Sequence, residues 1–205
     1  ANEFAPENTY ASARICLEWD IDYVEIDVNT SADGVLYLFH GPELEKTTNG
    51  SGMIMHHSAT VLDQLDAGIW FSPEFAGERI PRLDEFLRWI KGRAKLFLDV
   101  KWCNLNTLLE IIRETGFEQE YFFWFRLPEL AAEFRALAPD LQLKMNVQTA
   151  AAVETAVAQL QANIIEADYP ILPSVAAACK THGLKLMVNY MGSDETVFAD
   201  IIRQQ

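Results

Sequence analysis

KLFLDVK, at residues 95–101, is the stretch that decides the fold. Its apolar run is too continuous for a sheet with one face in water, because such a sheet alternates apolar and polar side chains. LKLMVNY, at residues 184–190, has the same character. Strands of this kind are covered on both faces or line the interior of a closed barrel. They indicate a sheet buried inside an α/β domain.

Short stretches rich in β-branched and aromatic residues recur along the chain, and helical patterns separate the later ones. The predicted strands lie at residues 22–29, 34–40, 95–101, 121–125, 142–147, 162–169 and 184–190. The predicted helices lie at residues 82–90, 105–115, 128–137, 150–161 and 173–182. Strands that alternate with helices pair in parallel. The pattern predicts an α/β fold, a TIM βα barrel, in one domain over residues 1–205 with a small loop insertion around residues 41–80.

One connection does not suit a regular barrel. NTSAD, at residues 29–33, joins the first two predicted strands, whereas a parallel crossover needs roughly a dozen residues. Either these two strands form a hairpin, or one of them lies outside the regular barrel.

Composition excludes several classes of protein. The 205 residues are 50% hydrophobic and 22% charged, which suits a folded domain rather than a disordered or fibrous chain. With 16 Lys and Arg against 30 Asp and Glu, the formal net charge of −14 has the wrong sign for nonspecific nucleic-acid binding. The sequence has no apolar run of the eighteen or so residues typical of a membrane span, and its three cysteines lack the spacing of zinc ligands.

The first candidate site lies in YVEIDV, at residues 23–28. Glu25 and Asp27 are two residues apart on a predicted strand, so their side chains project to the same face. Two like charges directed into the sheet need a counter-ion, which indicates a site for a hard cation. A strand displaced by one register would instead direct both carboxylates into solvent.

Two further strand ends carry polar residues. LDVK, at residues 98–101, places Asp99 and Lys101 on one face, either as part of a site or as an ordinary buried salt bridge. His40 ends the strand VLYLFH before a Gly-Pro turn, where a barrel presents catalytic groups, although a lone histidine there also serves structural roles. Three carboxylates, one lysine and one histidine together predict an oxygen-rich metal site with a titratable neighbour.

Late strands end in a second set of polar residues, Glu166, Asp168 and Asn189. Two interpretations stay open. These residues either line the substrate pocket or are polar groups of loops and helix caps.

Several runs resemble, in order, the motifs of the glycerophosphodiester phosphodiesterase family. PENT at residues 6–9 resembles the segment that follows the family's opening His-Arg-Gly. VEIDV at residues 24–28 resembles its Glu-x-Asp metal strand, and SADGVLYLFH at residues 31–40 resembles the strand that ends in its second catalytic histidine. The resemblance continues in EKTTNGSG at residues 45–52, in the long run at residues 65–87 and in LDVK, which lies where the family has Glu-x-Lys.

This resemblance covers nearly the whole chain and implies a distorted βα barrel of the PLC-like phosphodiesterase superfamily, with its first strand upstream of residue 1. It implies hydrolysis of a small-molecule glycerophosphodiester to glycerol 3-phosphate and an alcohol, with one divalent cation, Mg²⁺ or Ca²⁺. By position, Glu25, Asp27 and Asp99 would hold the cation, His40 would be one of two acid/base histidines, and Lys101 would face the phosphate. Apart from the resemblance, their positions near the ends of late strands make Glu166 and Asn189 candidates for substrate binding.

The chain also departs from the family pattern. Gly41 stands where the family usually has aspartate, Asp99 replaces glutamate, and Asn189 lies where the family has tryptophan. The resemblance places the partner histidine, in the His-Arg-Gly segment, before Ala1. Sphingomyelinase D-type phospholipases have a similar His-Gly pair and an aspartate among their metal ligands. An enzyme of that phospholipase D-like kind is therefore one alternative. A degenerate barrel that binds phosphodiesters without turnover is another.

Overall fold

The structure, a computed structural model, describes residues 2–116 and 121–203. The chain divides into two compact units, Ala1–Leu141 and Gln142–Gln205. A single domain over the whole chain stays a prediction. Within the described ranges, no helix is both long and apolar enough to cross a membrane.

The first unit contains a four-stranded sheet. Its strands are β1 (Tyr23–Thr30), β2 (Leu36–Leu38), β3 (Lys95–Val100) and β4 (Tyr121–Phe125), in the order β2-β1-β3-β4. β1 pairs in parallel with β3, and β3 pairs in parallel with β4. β1 and β2 are antiparallel, because their short connection cannot cross over the sheet. The hairpin alternative is therefore confirmed.

Helices α1 to α5 of this unit have identifiable ends. They are α1 (Tyr10–Glu18), α2 (Ala59–Leu62), α3 (Leu83–Ile90), α4 (Leu105–Thr115) and α5 (Pro128–Leu137). The side chain of Asn104 caps the start of α4, and the helix ends at Gly116 with a left-handed φ of 62°.

α1 and α2 were not among the predicted helices. The start of α1 is set by a capping box between Thr9 and Ser12.

The segment predicted as an insertion around residues 41–80 is packed by an apolar core that it shares with Tyr37 and Phe39. Three short 3₁₀ turns lie in it, at Leu44–Lys46, Ile54–His56 and Pro73–Phe75. The core side chains include Tyr37, Leu44, Ile54 and Leu62, all of them 1% exposed or less. Burial of these side chains accounts for an ordered segment with little regular secondary structure.

A polar network ties this segment to the hairpin. The Tyr37 hydroxyl donates to Asp63 Oδ1 at 2.7 Å, and Arg82 donates to both Asp63 oxygens, its Nε lying 3.1 Å from Oδ1. Hydrogen bonding to Arg82 holds the pKa of Asp63 below its ordinary value. Burial, reinforced by the Asp63 carboxylate, raises the pKa of Tyr37. Both oxygens of Asp63 thus accept from a single guanidinium.

The second unit contains a three-stranded parallel sheet. Its strands are β5 (Lys144–Asn146), β6 (Ile164–Asp168) and β7 (Lys185–Asn189), and its helices are α6 (Ala150–Leu160), α7 (Pro173–Thr181) and α8 (Glu195–Arg203). Val153, Ile165 and Val175 lie in its apolar core. All seven predicted strands and all five predicted helices form, so the α/β prediction is confirmed; α8 was not predicted.

Candidate active site

Three carboxylates converge on one face of the first sheet. Asp27 of β1 and Asp99 of β3 are register partners in the parallel sheet, so their side chains are neighbours. Glu25 lies two residues before Asp27 and shares its face. One carboxylate oxygen from each of these three residues lies within 4.8 Å of the others. The three residues that the resemblance implied as cation ligands are therefore brought together.

The three carboxylates differ in exposure. Asp27 is 6% exposed and Asp99 is half-buried, so the alternative register with both β1 carboxylates in solvent is not found. Glu25, however, is exposed rather than directed into the sheet interior. β2 pairs with β1 only from Val28 onward, which leaves the edge of β1 beside Glu25 uncovered by that strand.

Lys101 lies between two of these carboxylates. Its Nζ is 2.8 Å from Asp27 Oδ1 and 2.7 Å from Asp99 Oδ2, and its side chain is 12% exposed. Burial by itself lowers the pKa of Lys101, but the hydrogen bonds and charges of the two aspartates outweigh burial and raise it. Lys101 is therefore a cation at neutral pH. The described cluster thus brings three carboxyl groups and one ammonium together.

Trp124 is a site residue that the sequence analysis missed. It is the register partner of Asp99 on β4, and its ring centroid lies 5.7 Å from Lys101 Nζ. This distance allows a cation–π attraction. The signal was the strand pattern at residues 121–125, which predicted a strand but not which of its side chains reaches the lysine.

Asn8 is a second missed residue. Its Nδ2 donates to Asp27 Oδ2 at 2.7 Å, and its Oδ1 accepts from the backbone N–H of Asp27 at 2.9 Å. The only signal was PENT, which resembled a family segment without indicating a contact with Asp27.

His40 lies beside the same strand. β2 ends at Leu38, so His40 follows the strand instead of ending it, and its side chain is exposed. The backbone N–H of Phe39 donates to the carbonyl of Asp27 at 3.0 Å, which ties this part of the hairpin to the carboxylate strand. His40 and Asn8 line one small hollow. Across that hollow, His40 Nδ1 is 3.8 Å from an oxygen of Glu7.

The two predicted substrate-binding residues lie in the second unit. The carboxylate of Glu166 forms a salt bridge with Lys144, whose Nζ lies 2.6 Å from Glu166 Oε2. Lys144 is 2% exposed. Asn189 donates to Asp168 at 2.8 Å across the register of β6 and β7. Both side chains thus bond to neighbouring strands. Their role in substrate binding stays a prediction.

The donor set suits a hard divalent cation. Glu25, Asp27 and Asp99 supply only carboxylate oxygens, the ligands that Ca²⁺ and Mg²⁺ prefer. These three residues could therefore hold a metal ion next to a charged lysine.

Comparison with known families gives one match over most of the chain. The profile of the glycerophosphoryl diester phosphodiesterase family matches residues 1–188. A glycerophosphodiester phosphodiesterase of Caldanaerobacter subterraneus subsp. tengcongensis is 30% identical over 190 residues, which cover 88% of this chain and 78% of that protein. The Bacillus subtilis protein YhdW is 36% identical over 101 residues, which cover 49% of this chain and 42% of that protein, less than half of its length.

Solved structures agree with this match. A glycerophosphodiester phosphodiesterase from Agrobacterium tumefaciens str. C58 is 35% identical, with a TM-score of 0.93 over 98% of this chain and 88% of that one. An Oleispira antarctica phosphodiesterase in complex with the product sn-glycerol-3-phosphate is 27% identical, with a TM-score of 0.87 over 98% of this chain and 85% of that one. The likeness confirms the predicted fold class, a distorted TIM βα barrel.

Proposed function

The chain belongs to the glycerophosphoryl diester phosphodiesterase family, and on this premise we propose that it hydrolyses glycerophosphodiesters to glycerol 3-phosphate and an alcohol. The observation that carries the proposal is the convergence of Glu25, Asp27 and Asp99 within 4.8 Å of one another, with Lys101 bonded to two of them. The glycerol 3-phosphate bound to the Oleispira antarctica phosphodiesterase supports a small-molecule substrate of this class.

One divalent cation, Mg²⁺ or Ca²⁺, is assigned to these three carboxylates. When bound, such a cation neutralises charge on the phosphodiester oxygens and stabilises the additional charge of the transition state. Lys101 would contact the same oxygens as a point charge.

His40 is assigned the proton transfer. During hydrolysis a bond forms between a water oxygen and phosphorus, and the bond between phosphorus and the alcohol oxygen breaks. The attacking water releases a proton to the solvent, and the departing alkoxide takes up a proton, which an imidazolium is suited to donate. The exposed position of His40 beside the carboxylate strand supports this role. Substrate binding by Glu166 and Asn189 remains part of the proposal.

The test is release of glycerol 3-phosphate from glycerophosphocholine and glycerophosphoethanolamine by the purified protein. It is measured after chelation and again after addition of Mg²⁺, Ca²⁺ or Mn²⁺. We expect release that depends on added cation. Release of choline from sphingomyelin, with no glycerol 3-phosphate from either diester, would instead indicate the sphingomyelinase D-like activity. Inactivity on every substrate would contradict an enzymatic role.

His40→Ala tests the proton transfer. We expect turnover to fall about a hundredfold or more, because the alkoxide loses its proton donor, while cation affinity stays nearly unchanged. His56→Ala, at an exposed histidine of the packed segment, is the matched control and should retain turnover. Near-normal turnover by His40→Ala would assign the proton transfer to another group.

A further inference from the structure

Asn8 contacts Asp27 at two points. The Nδ2 of Asn8 donates to Asp27 Oδ2 at 2.7 Å, and its Oδ1 accepts from the Asp27 backbone N–H at 2.9 Å. Both contacts agree with one orientation of the amide, since the donor faces an acceptor and the acceptor faces a donor. The side chain of Asn8 thus holds both the backbone and the carboxylate of a single residue on β1.

The turn around Asn8 is fixed by neighbouring residues. Thr9, 1% exposed, donates its hydroxyl to the Pro6 carbonyl at 2.7 Å and accepts from the Ser12 backbone at 3.3 Å. Asn8 itself has a left-handed φ of 54°, which asparagine tolerates better than most residues. These turn bonds do not involve the Asn8 side chain, so the turn and the contact with Asp27 can be separated by mutation.

We propose that Asn8 is a positioning residue for the cation site, where its amide fixes the orientation of the Asp27 carboxylate. This inference rests on the proposed binding of a cation by Glu25, Asp27 and Asp99. It assigns to Asn8 a function for which the family resemblance gave no indication.

The physical basis is that both oxygens of Asp27 are held. Oδ2 accepts from Asn8, and Oδ1 lies 2.8 Å from Lys101 Nζ. Two oxygens offer about four lone-pair sites, so each oxygen keeps an acceptor site for a cation. Rotation of the carboxylate would break a charge-assisted bond at each oxygen. Residues that orient a metal ligand in this way typically contribute tenfold to a hundredfold in metal affinity.

Asn8→Gly separates positioning from a purely structural role. Glycine adopts a positive φ without strain, so the turn is kept while the amide is removed. Asn8→Ala removes the amide and adds backbone strain. Asn104→Ala is the matched control, because the Asn104 side chain also makes two hydrogen bonds, both accepted from backbone N–H groups at the start of α4, but is not part of the carboxylate cluster.

The measurement is calorimetric titration of the purified protein with Mg²⁺ and with Ca²⁺, together with thermal melting. We expect Asn8→Gly to bind the cation about tenfold to a hundredfold more weakly with little change in Tm. We expect Asn104→Ala to bind as the wild type does while its Tm falls. Wild-type affinity in Asn8→Gly would overturn the inference even if Asn8→Ala failed to fold. Absence of binding by the wild type would overturn the cation site itself.

A second measurement follows activity as the cation concentration rises. If Asn8 acts through Asp27, the cation concentration for half-maximal turnover should rise by the same factor in Asn8→Gly, and turnover at saturating cation should return close to the wild-type value. Turnover that stays low at saturating cation would overturn the positioning role.

Discussion

Asp27 and Asp63 meet similar partners in two different regions of the molecule. Each aspartate bonds to one basic side chain and one neutral donor: Asp27 to Lys101 and Asn8, and Asp63 to Arg82 and Tyr37. The two regions differ in charge. Arg82 bonds to both oxygens of Asp63 alone, whereas Lys101 is shared between Asp27 and Asp99, and Asp27 also lies close to Glu25.

This difference separates a structural network from a candidate site. A guanidinium fork bonds to both oxygens of one carboxylate, so the network at Asp63 is balanced by its own residues. An ammonium is a point charge without such a fork, and Lys101 is divided between two carboxylates. Three converging carboxyl groups are a donor set for a cation, whereas both oxygens of Asp63 already accept from one guanidinium.

The largest effect expected from this comparison is on cation binding. Asp27→Asn removes one of the three carboxylates, and we expect the affinity for Mg²⁺ or Ca²⁺ to fall at least a hundredfold in calorimetry while circular dichroism stays unchanged. Asp63→Asn makes the same substitution in the balanced network and should bind the cation normally. Undiminished binding by Asp27→Asn would remove the basis of the comparison.

Without added cation, we expect the opposite order for the loss of stability: Asp63→Asn should lose more free energy of unfolding than Asp27→Asn. Asp63→Asn weakens its bonds to Arg82, and we expect a loss of about 2 kcal/mol in the free energy of unfolding, measured with urea. Asp27→Asn should lose less, because Lys101 keeps its bond to Asp99. Equal losses would mean that both aspartates are structural to the same degree.

The smallest expected effect is on the pH dependence of the free energy of unfolding, through ionisation of Tyr37. Its pKa in the folded protein is raised above the ordinary 10.0, first by burial and then by Asp63. The contribution of this pKa shift to the free energy of unfolding is fully present below pH 10, the pKa of Tyr37 in the unfolded chain. It is lost as the pH rises toward the pKa of Tyr37 in the folded protein. Between about pH 10 and 11, wild-type stability should fall by up to about 1.4 kcal/mol more than that of Tyr37→Phe.

Urea unfolding at several pH values checks this prediction. At neutral pH, Tyr37→Phe should cost about 1 kcal/mol through loss of the hydrogen bond to Asp63. Parallel pH curves for the two proteins would show that ionisation of Tyr37 is not linked to unfolding.

Local patterns were enough to predict most elements. Strands and helices with an apolar periodicity, such as β3 and α4, were found because that periodicity is written in consecutive residues. α1 was missed, although it begins at a capping box, because small and polar residues break its apolar stripe. The same rule of alternation placed Glu25 and Asp27 on one face and Asp99 and Lys101 on another strand's face.

Sequence alone therefore determined the α/β class and which carboxylates can share a face, since both depend on the spacing of neighbouring residues. Tertiary structure alone decided that Asp27 and Asp99 are register partners, that Trp124 approaches Lys101 and that Asn8 holds Asp27 across 19 residues of chain. The physical reason is that register and hydrogen bonds between distant segments are set by packing of the whole sheet, which no local pattern contains.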